Sequence, residues 1–150
     1  MKQRMLGRTG LAVSELGVGG LFISSRFSDV RQATATLRRA FALGVNYLDT
    51  APSYGNSEEV IGQALTTLAG ERGSDVPLIL STKLGGRPQP FNPQDRDALL
   101  WSVEESLRLL RRETIDILMI HEPDRPGQYD WWTDRANCEG PVLEVLAHLK

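Results

Sequence analysis

Short apolar runs alternating with amphipathic stretches predict an α/β fold: a β-hairpin, then four strand–helix units around a parallel sheet joined by right-handed crossovers. Three observations carry this expectation. Each apolar run ends at a polar or glycine-containing loop, and each following segment repeats its apolar residues at helical spacing. Hydrophobic residues make up 41% of the 150 residues and charged residues 24%, close to globular averages, so a folded core rather than disorder is expected. Finally, neither an internal repeat nor a low-complexity linker interrupts the chain, so residues 1–150 read as one domain with no internal boundary.

The elements follow in order. Leu6-Gly7-Arg8-Thr9-Gly10 separates Lys2–Leu6 from Leu11–Val13 and reads as the turn of a β-hairpin. Leu16-Gly17-Val18-Gly19-Gly20 is a short strand whose glycines allow close approach of backbone or ligand. Ser28 or Asp29 can cap a helix with Ala33, Leu37, Ala40 and Phe41 on its buried face, closed at Gly44. Val45–Leu48 is a buried strand. Asn56 or Ser57 caps the second helix, which buries Val60, Ile61, Ala64, Leu65 and Leu68 and places Glu58 and Glu59 in a first turn that favours acids.

Leu78–Lys83, between Pro77 and Gly85-Gly86, is the next strand, and Arg87–Pro93 is a loop. A third helix carries Leu99, Val103, Leu107 and Leu110 on one face, with Arg111 and Arg112 expected in its last turn. Ile115–His121 is the most strand-like segment of the chain. A long loop follows, Glu122 to Glu139, of the kind that usually serves binding. Pro141 opens the last helix, with Val142, Val145, Leu146 and Leu149 sharing a face.

Composition removes several function classes. A formal net charge of −2 gives no footprint for nucleic acid or an anionic membrane. The N-terminus lacks the apolar stretch of a signal peptide, and no aliphatic run approaches the length of a membrane span. With Cys138 as the single cysteine, an intrachain disulfide is excluded, and a reducing, cytoplasmic setting is expected. No metal is expected: a site built from Cys138, His121 and His148 is possible on paper only, and His121-Glu122 lacks the second histidine of a zinc-protease helix. Gly17–Gly20 lacks the third glycine of a dinucleotide fingerprint.

The chemistry lies at the strand ends. In a parallel sheet all C-terminal strand ends share one rim, so Asp49, Lys83 and His121, each ending a strand, are expected to converge there, with Tyr54 joining from the loop after Asp49. Singly, each has an ordinary structural explanation as a turn residue, a solvated lysine, a structural donor or an amphipathic cover. Together they form an acid/base site. An ammonium beside a phenol favours the phenolate, which suits Lys83 and Tyr54; Asp49 would hold Lys83 charged, and His121 could hydrogen-bond a carbonyl oxygen. A carbonyl protonated in this way still needs hydride, which no side chain donates, so a nicotinamide cofactor is implied.

Leu6-Gly-Arg-Thr-Gly-Leu, Asn46-Tyr-Leu-Asp-Thr-Ala-Pro-Ser-Tyr-Gly, Leu80-Ser-Thr-Lys and Ile115-Asp-Ile-Leu-Met-Ile-His resemble, in this order, the N-terminal half of the aldo-keto reductase family, especially its bacterial branch of aldose and other sugar dehydrogenases. The resemblance covers essentially the whole chain. It implies an α/β fold that is the N-terminal half of a (β/α)8 TIM barrel, with Asp49, Tyr54, Lys83 and His121 as the catalytic tetrad and Tyr54 as general acid/base. It also implies that Gly20, Leu21, Phe22 and Asp49 lie near an NADP(H) or NAD(H) cofactor. In that family, segments from the fifth strand onward hold most of the cofactor, whereas this sequence stops at Lys150, near the expected end of the fourth helix.

Two functions are therefore expected from the sequence. One is NAD(P)H-dependent reversible reduction of an aldehyde or ketone, sugars included. The other is a non-catalytic half-barrel or interaction module that self-associates or pairs with a partner half through an open sheet edge. Tyr129, Trp131 and Trp132 either contact a small carbonyl or sugar substrate or pack over the barrel mouth.

Overall fold

The structure is a computed structural model that describes residues 1–72, 78–125 and 127–150, with the Arg72 side chain excluded. Pro77, the expected boundary of the third sheet strand, lies outside the described residues. Strand β1 (Gln3–Met5) pairs antiparallel with β2 (Ala12–Ser14), and Gly7 and Gly10 take positive φ values of 54° and 79° in the connection. The Asn46 side chain ties this hairpin to the sheet. Its amide donates to Ala12 O at 2.9 Å, and its Oδ1 accepts from Ser14 N at 2.7 Å.

The remaining strands form one parallel sheet in the order β3 (Val18–Gly19), β4 (Tyr47–Asp49), β5 (Ile79–Leu84), β6 (Ile117–Ile120). Between them run α1 (Val30–Ala42), α2 (Ser57–Arg72) and α3 (Arg96–Leu110), and α4 (Pro141–Leu149) follows β6. The register pairs Gly19 with Asp49, Asp49 with Ser81 and Lys83 with Met119. The hairpin and four βα units are thus those of a partial (β/α)8 barrel.

Alternation along the strands divides the two faces. Leu48, Leu80 and Leu84 point to the helices and are fully buried. Leu48 and Leu80 pack with Leu37, Ile61 and Leu110, and Leu84 packs with Leu99, Val103, Trp131, Val142 and Val145. Each such side chain contributes roughly 1.5–3 kcal/mol by burial. The other face carries Tyr47, Asp49, Ile79, Lys83, Ile117 and Met119, all only partly buried, with Ser81 buried among them.

Several boundaries differ from the sequence expectation, for local reasons. The first sheet strand stops at Gly19 because the chain turns into a 3-10 helix at Gly20–Phe22. There, Gly20 O accepts from Ser57 Oγ at 2.7 Å, and a Cβ on Gly20 would lie 2.9 Å from Asp49 O. Asp29 caps α1, its Oδ1 accepting from Gln32 N at 2.7 Å. Ahead of α2, the expected capping groups serve tertiary contacts instead: Asn56 Oδ1 accepts from Ser25 N at 2.8 Å, and Ser57 turns inward to Gly20. Arg111 and Arg112 are not in the last turn of α3. Arg111 is its left-handed C-cap at φ 55°, and Arg108 holds the last-turn position. Among the described residues, no helix is long and apolar enough to cross a membrane.

Candidate active site

Asp49 ends β4, Lys83 is the penultimate residue of β5 and His121 directly follows β6, so the parallel register brings all three to one rim. Lys83 Nζ donates to Asp49 Oδ2 at 2.7 Å and to Thr50 O at 2.8 Å. Ser81 Oγ donates to Asp49 Oδ1 at 2.9 Å. The Lys83 and Asp49 side chains keep only 12% and 28% of their exposure, so this charge pair is partly desolvated, and the added neutral partners offset that cost.

Tyr54 lies against both remaining groups. Lys83 Nζ stands 5.0 Å from the centroid of its ring, within cation–π range. The His121 ring meets the Tyr54 ring edge-on, with centroids 5.7 Å apart at 85°. His121 is buried, and its Nδ1 lies 3.2 Å from Ser53 Oγ. Burial holds the His121 imidazole below its ordinary value of 6.5, and the nearby Lys83 ammonium acts in the same direction against the opposing pull of Glu122 and Asp49. The imidazole is therefore predominantly neutral at pH 7.

The sequence reading missed the supporting roles of four residues, Ser81, Thr82, Glu58 and Ser53. Ser81 could have been found by alternation, since it lies two positions before Lys83 and so on the same face. Thr82 points the other way and donates to Glu58 Oε1 at 2.6 Å. Glu58 is 2% exposed and also pairs with Arg87, so the first turn of α2, just after the Tyr54 loop, is tied to β5 and to the loop beyond it. Ser53 had no local signal, because its contact spans 68 residues.

The turn at Gly20–Phe22 places the three expected cofactor neighbours differently. Gly20 is buried against the Asp49–Thr50 backbone, while Leu21 and Phe22 are 46% and 65% exposed. Leu21, Ser24, Arg26, Phe27, Ser53 and Tyr54 line a cavity of about 330 Å³ beside the rim. This is within the size range of small-ligand sites. A larger cavity of about 460 Å³ opens between α3 and α4 near Glu113–Asp116, at the opposite end of β6, and none of the four rim groups lines it.

In the long loop after β6, Trp131 is fully buried, packed against Phe91 at 5.6 Å and Tyr129 at 5.7 Å. That position fits the packing alternative for Trp131, with none of its surface exposed. Tyr129 and Trp132 are half-buried around it. Among the described residues, no three His, Cys, Asp or Glu side chains stand together as a metal site.

The sequence pattern of the Aldo/keto reductase family matches residues 15–150. The chain is 40% identical over 123 residues to an L-galactose dehydrogenase of Arabidopsis thaliana, covering 79% of this chain and 37% of that protein. It is 37% identical over 128 residues to a probable voltage-gated potassium channel subunit beta of Oryza sativa subsp. japonica, covering 83% and 38%. A solved structure from Pseudomonas aeruginosa, described as a candidate aldo-keto reductase, superposes with a TM-score of 0.77 at 34% identity, covering 99% of this chain and 54% of that one. The chain thus spans less than two-fifths of the length of these two curated relatives. Strand order, rim geometry and matched sequence agree, and the chain belongs to the aldo-keto reductase family.

Proposed function

We propose that these residues carry the proton-transfer side of an NAD(P)H-dependent oxidoreductase that interconverts aldehydes or ketones with alcohols. The observation that carries this reading is the position of Lys83 Nζ, bonded to Asp49 and lying over the Tyr54 ring while His121 approaches that ring from its edge. Tyr54 would give its phenolic proton to the carbonyl oxygen in reduction and take it back in oxidation. Lys83 would stabilise the phenolate left behind, Asp49 orients Lys83, and neutral His121 would donate a hydrogen bond that fixes the carbonyl oxygen.

The residues present fit the nicotinamide end of a cofactor. An exposed Leu21 and Phe27 flank the cavity beside Tyr54, and Asp49 at the end of β4 keeps part of its side chain exposed. Leu21 and Phe22 would line the bound nicotinamide with Gly20 buried behind them, and Asp49 would face its ribose; the cofactor supplies hydride when bound. Sugars are the favoured substrate class, supported by similarity to a protein named for L-galactose. Residues 1–150 form one structural unit in this reading, and the exposed Cys138 suits a reducing, cytoplasmic compartment.

The test is Tyr54→Phe. Its NADPH oxidation with an aldehyde should fall by roughly 10²–10⁴-fold while NADPH binding, read by fluorescence, is unchanged. Undiminished turnover in this variant would overturn the role of Tyr54, and a wild-type chain that fails to bind NADPH at millimolar concentration would rule out catalysis by these residues alone.

A second reading has its own support. Ile79, Ile117 and Met119 lie half-buried on the sheet face away from the helices, and β3 and β6 are the sheet's edges among the described residues. Such a surface suits a half-barrel that works only with a partner half.

A further inference from the structure

We propose that Ser53 is a positioning residue that holds His121 in a single neutral tautomer, with Nδ1 accepting from the Ser53 hydroxyl and the proton carried on Nε2. The starting point is the 3.2 Å approach of Ser53 Oγ to His121 Nδ1. A neutral imidazole has one N–H, and the hydrogen bond made by one nitrogen determines the role of the other. No other polar contact of Ser53 Oγ is found among the described residues, which leaves its proton available to Nδ1.

The surrounding backbone is built to hold this pair. Gly86, at φ 96°, lies so close to Ser53 that a Cβ would stand 3.2 Å from both the Ser53 Cβ and N. Gly85, at φ 113°, sits between the two sides of the site: its Cβ would meet Trp131 at 3.2 Å and the His121 Cβ at 3.5 Å. The glycine pair after β5 therefore lets one loop press on the Ser53 backbone and on the stem of His121 together. Trp131, fully buried among Leu84, Leu99 and Val142, backs that contact.

Around the ring stand Lys83 on β5, Asp49 on β4, and Glu122 and Arg125 in the loop after β6. Burial and Lys83 disfavour the imidazolium, so a neutral tautomer is the state to be fixed. Its consequence for catalysis rests on the function proposed above: only the Nε2–H tautomer, with Nδ1 engaged by Ser53, lets neutral His121 donate through its other nitrogen. The tautomer itself can be read without turnover.

The chain has two histidines, His121 and His148, so long-range ¹H–¹⁵N correlation of ¹⁵N-histidine-labelled protein resolves both, with His148→Gln assigning them. Wild type at mildly alkaline pH should show His121 with an unprotonated Nδ1 and a protonated Nε2. Ser53→Ala, at an exposed position, should lose the single-tautomer pattern and move the His121 titration up toward its ordinary range; Ser53→Thr, which keeps the hydroxyl, should restore both. A wild-type His121 protonated at Nδ1, or a Ser53→Ala spectrum with the tautomer unchanged, overturns the proposal. Absence of turnover in the wild type would instead count against the function alone.

Discussion

Lys83 is the residue that ties the rim groups together. Its ammonium is satisfied by Asp49 and Thr50, which fixes where it sits, and the Tyr54 ring then occupies the remaining side. The sequence made Asp49, Tyr54, Lys83 and His121 legible because strand ends in a parallel sheet converge whatever the separation along the chain. For Trp131 the sequence left substrate contact and packing both open, because an aromatic residue in a polar loop has no periodicity from which to read burial. His121 gives the residue-scale prediction. Its folded-state value lies below the ordinary 6.5. The unfolded chain therefore takes up a proton first as pH falls, and stability present above about pH 6.5 is lost as pH drops through the folded value. The urea midpoint of the wild type should fall between about pH 7.5 and pH 5.5 by more than that of His121→Gln, which does not titrate. Parallel losses in the two proteins would show that His121 contributes no linkage.

Among the elements, α2 and α3 meet closely at Gly62. The amphipathic spacing of both helices was readable, and so were Asp29 and the Gly44 stop, because capping and positive φ act within one turn. The closeness of the two helices was not, since it depends on Gly62 meeting the end of another helix. A Cβ at Gly62 would lie 2.1 Å from Leu109 O and 2.9 Å from Leu110 C. Both are backbone atoms and cannot swing aside. Alanine is the better helix former by about 1 kcal/mol, yet overpacking costs about 1–3 kcal/mol, and here the obstacle is backbone, so the steric term should win. Gly62→Ala should therefore lower the urea midpoint without changing the slope, and an increase in stability would show that α3 can shift freely.

At the scale of the molecule, the helical side and the rim are finished while the opposite sheet face is open. Two-layer burial accounts for Leu48, Leu80 and Leu84 at the helices. It leaves Ile79, Ile117 and Met119 half-exposed beside Lys83. Four parallel strands with β3 and β6 at the edges are half of the roughly eight that close a barrel. Two copies could pair β6 of each with β3 of the other, closing both edges in one symmetric step and covering those apolar side chains. Light scattering across a concentration series should then show a reversible monomer–dimer equilibrium. Ile117→Lys should shift it to monomer, because a charge in the closed interior would lack a partner, while the half-exposed position in the monomer tolerates the substitution. A wild-type chain that remains monomeric at high concentration, with the same thermal stability as Ile117→Lys, would rule out closure by a second copy.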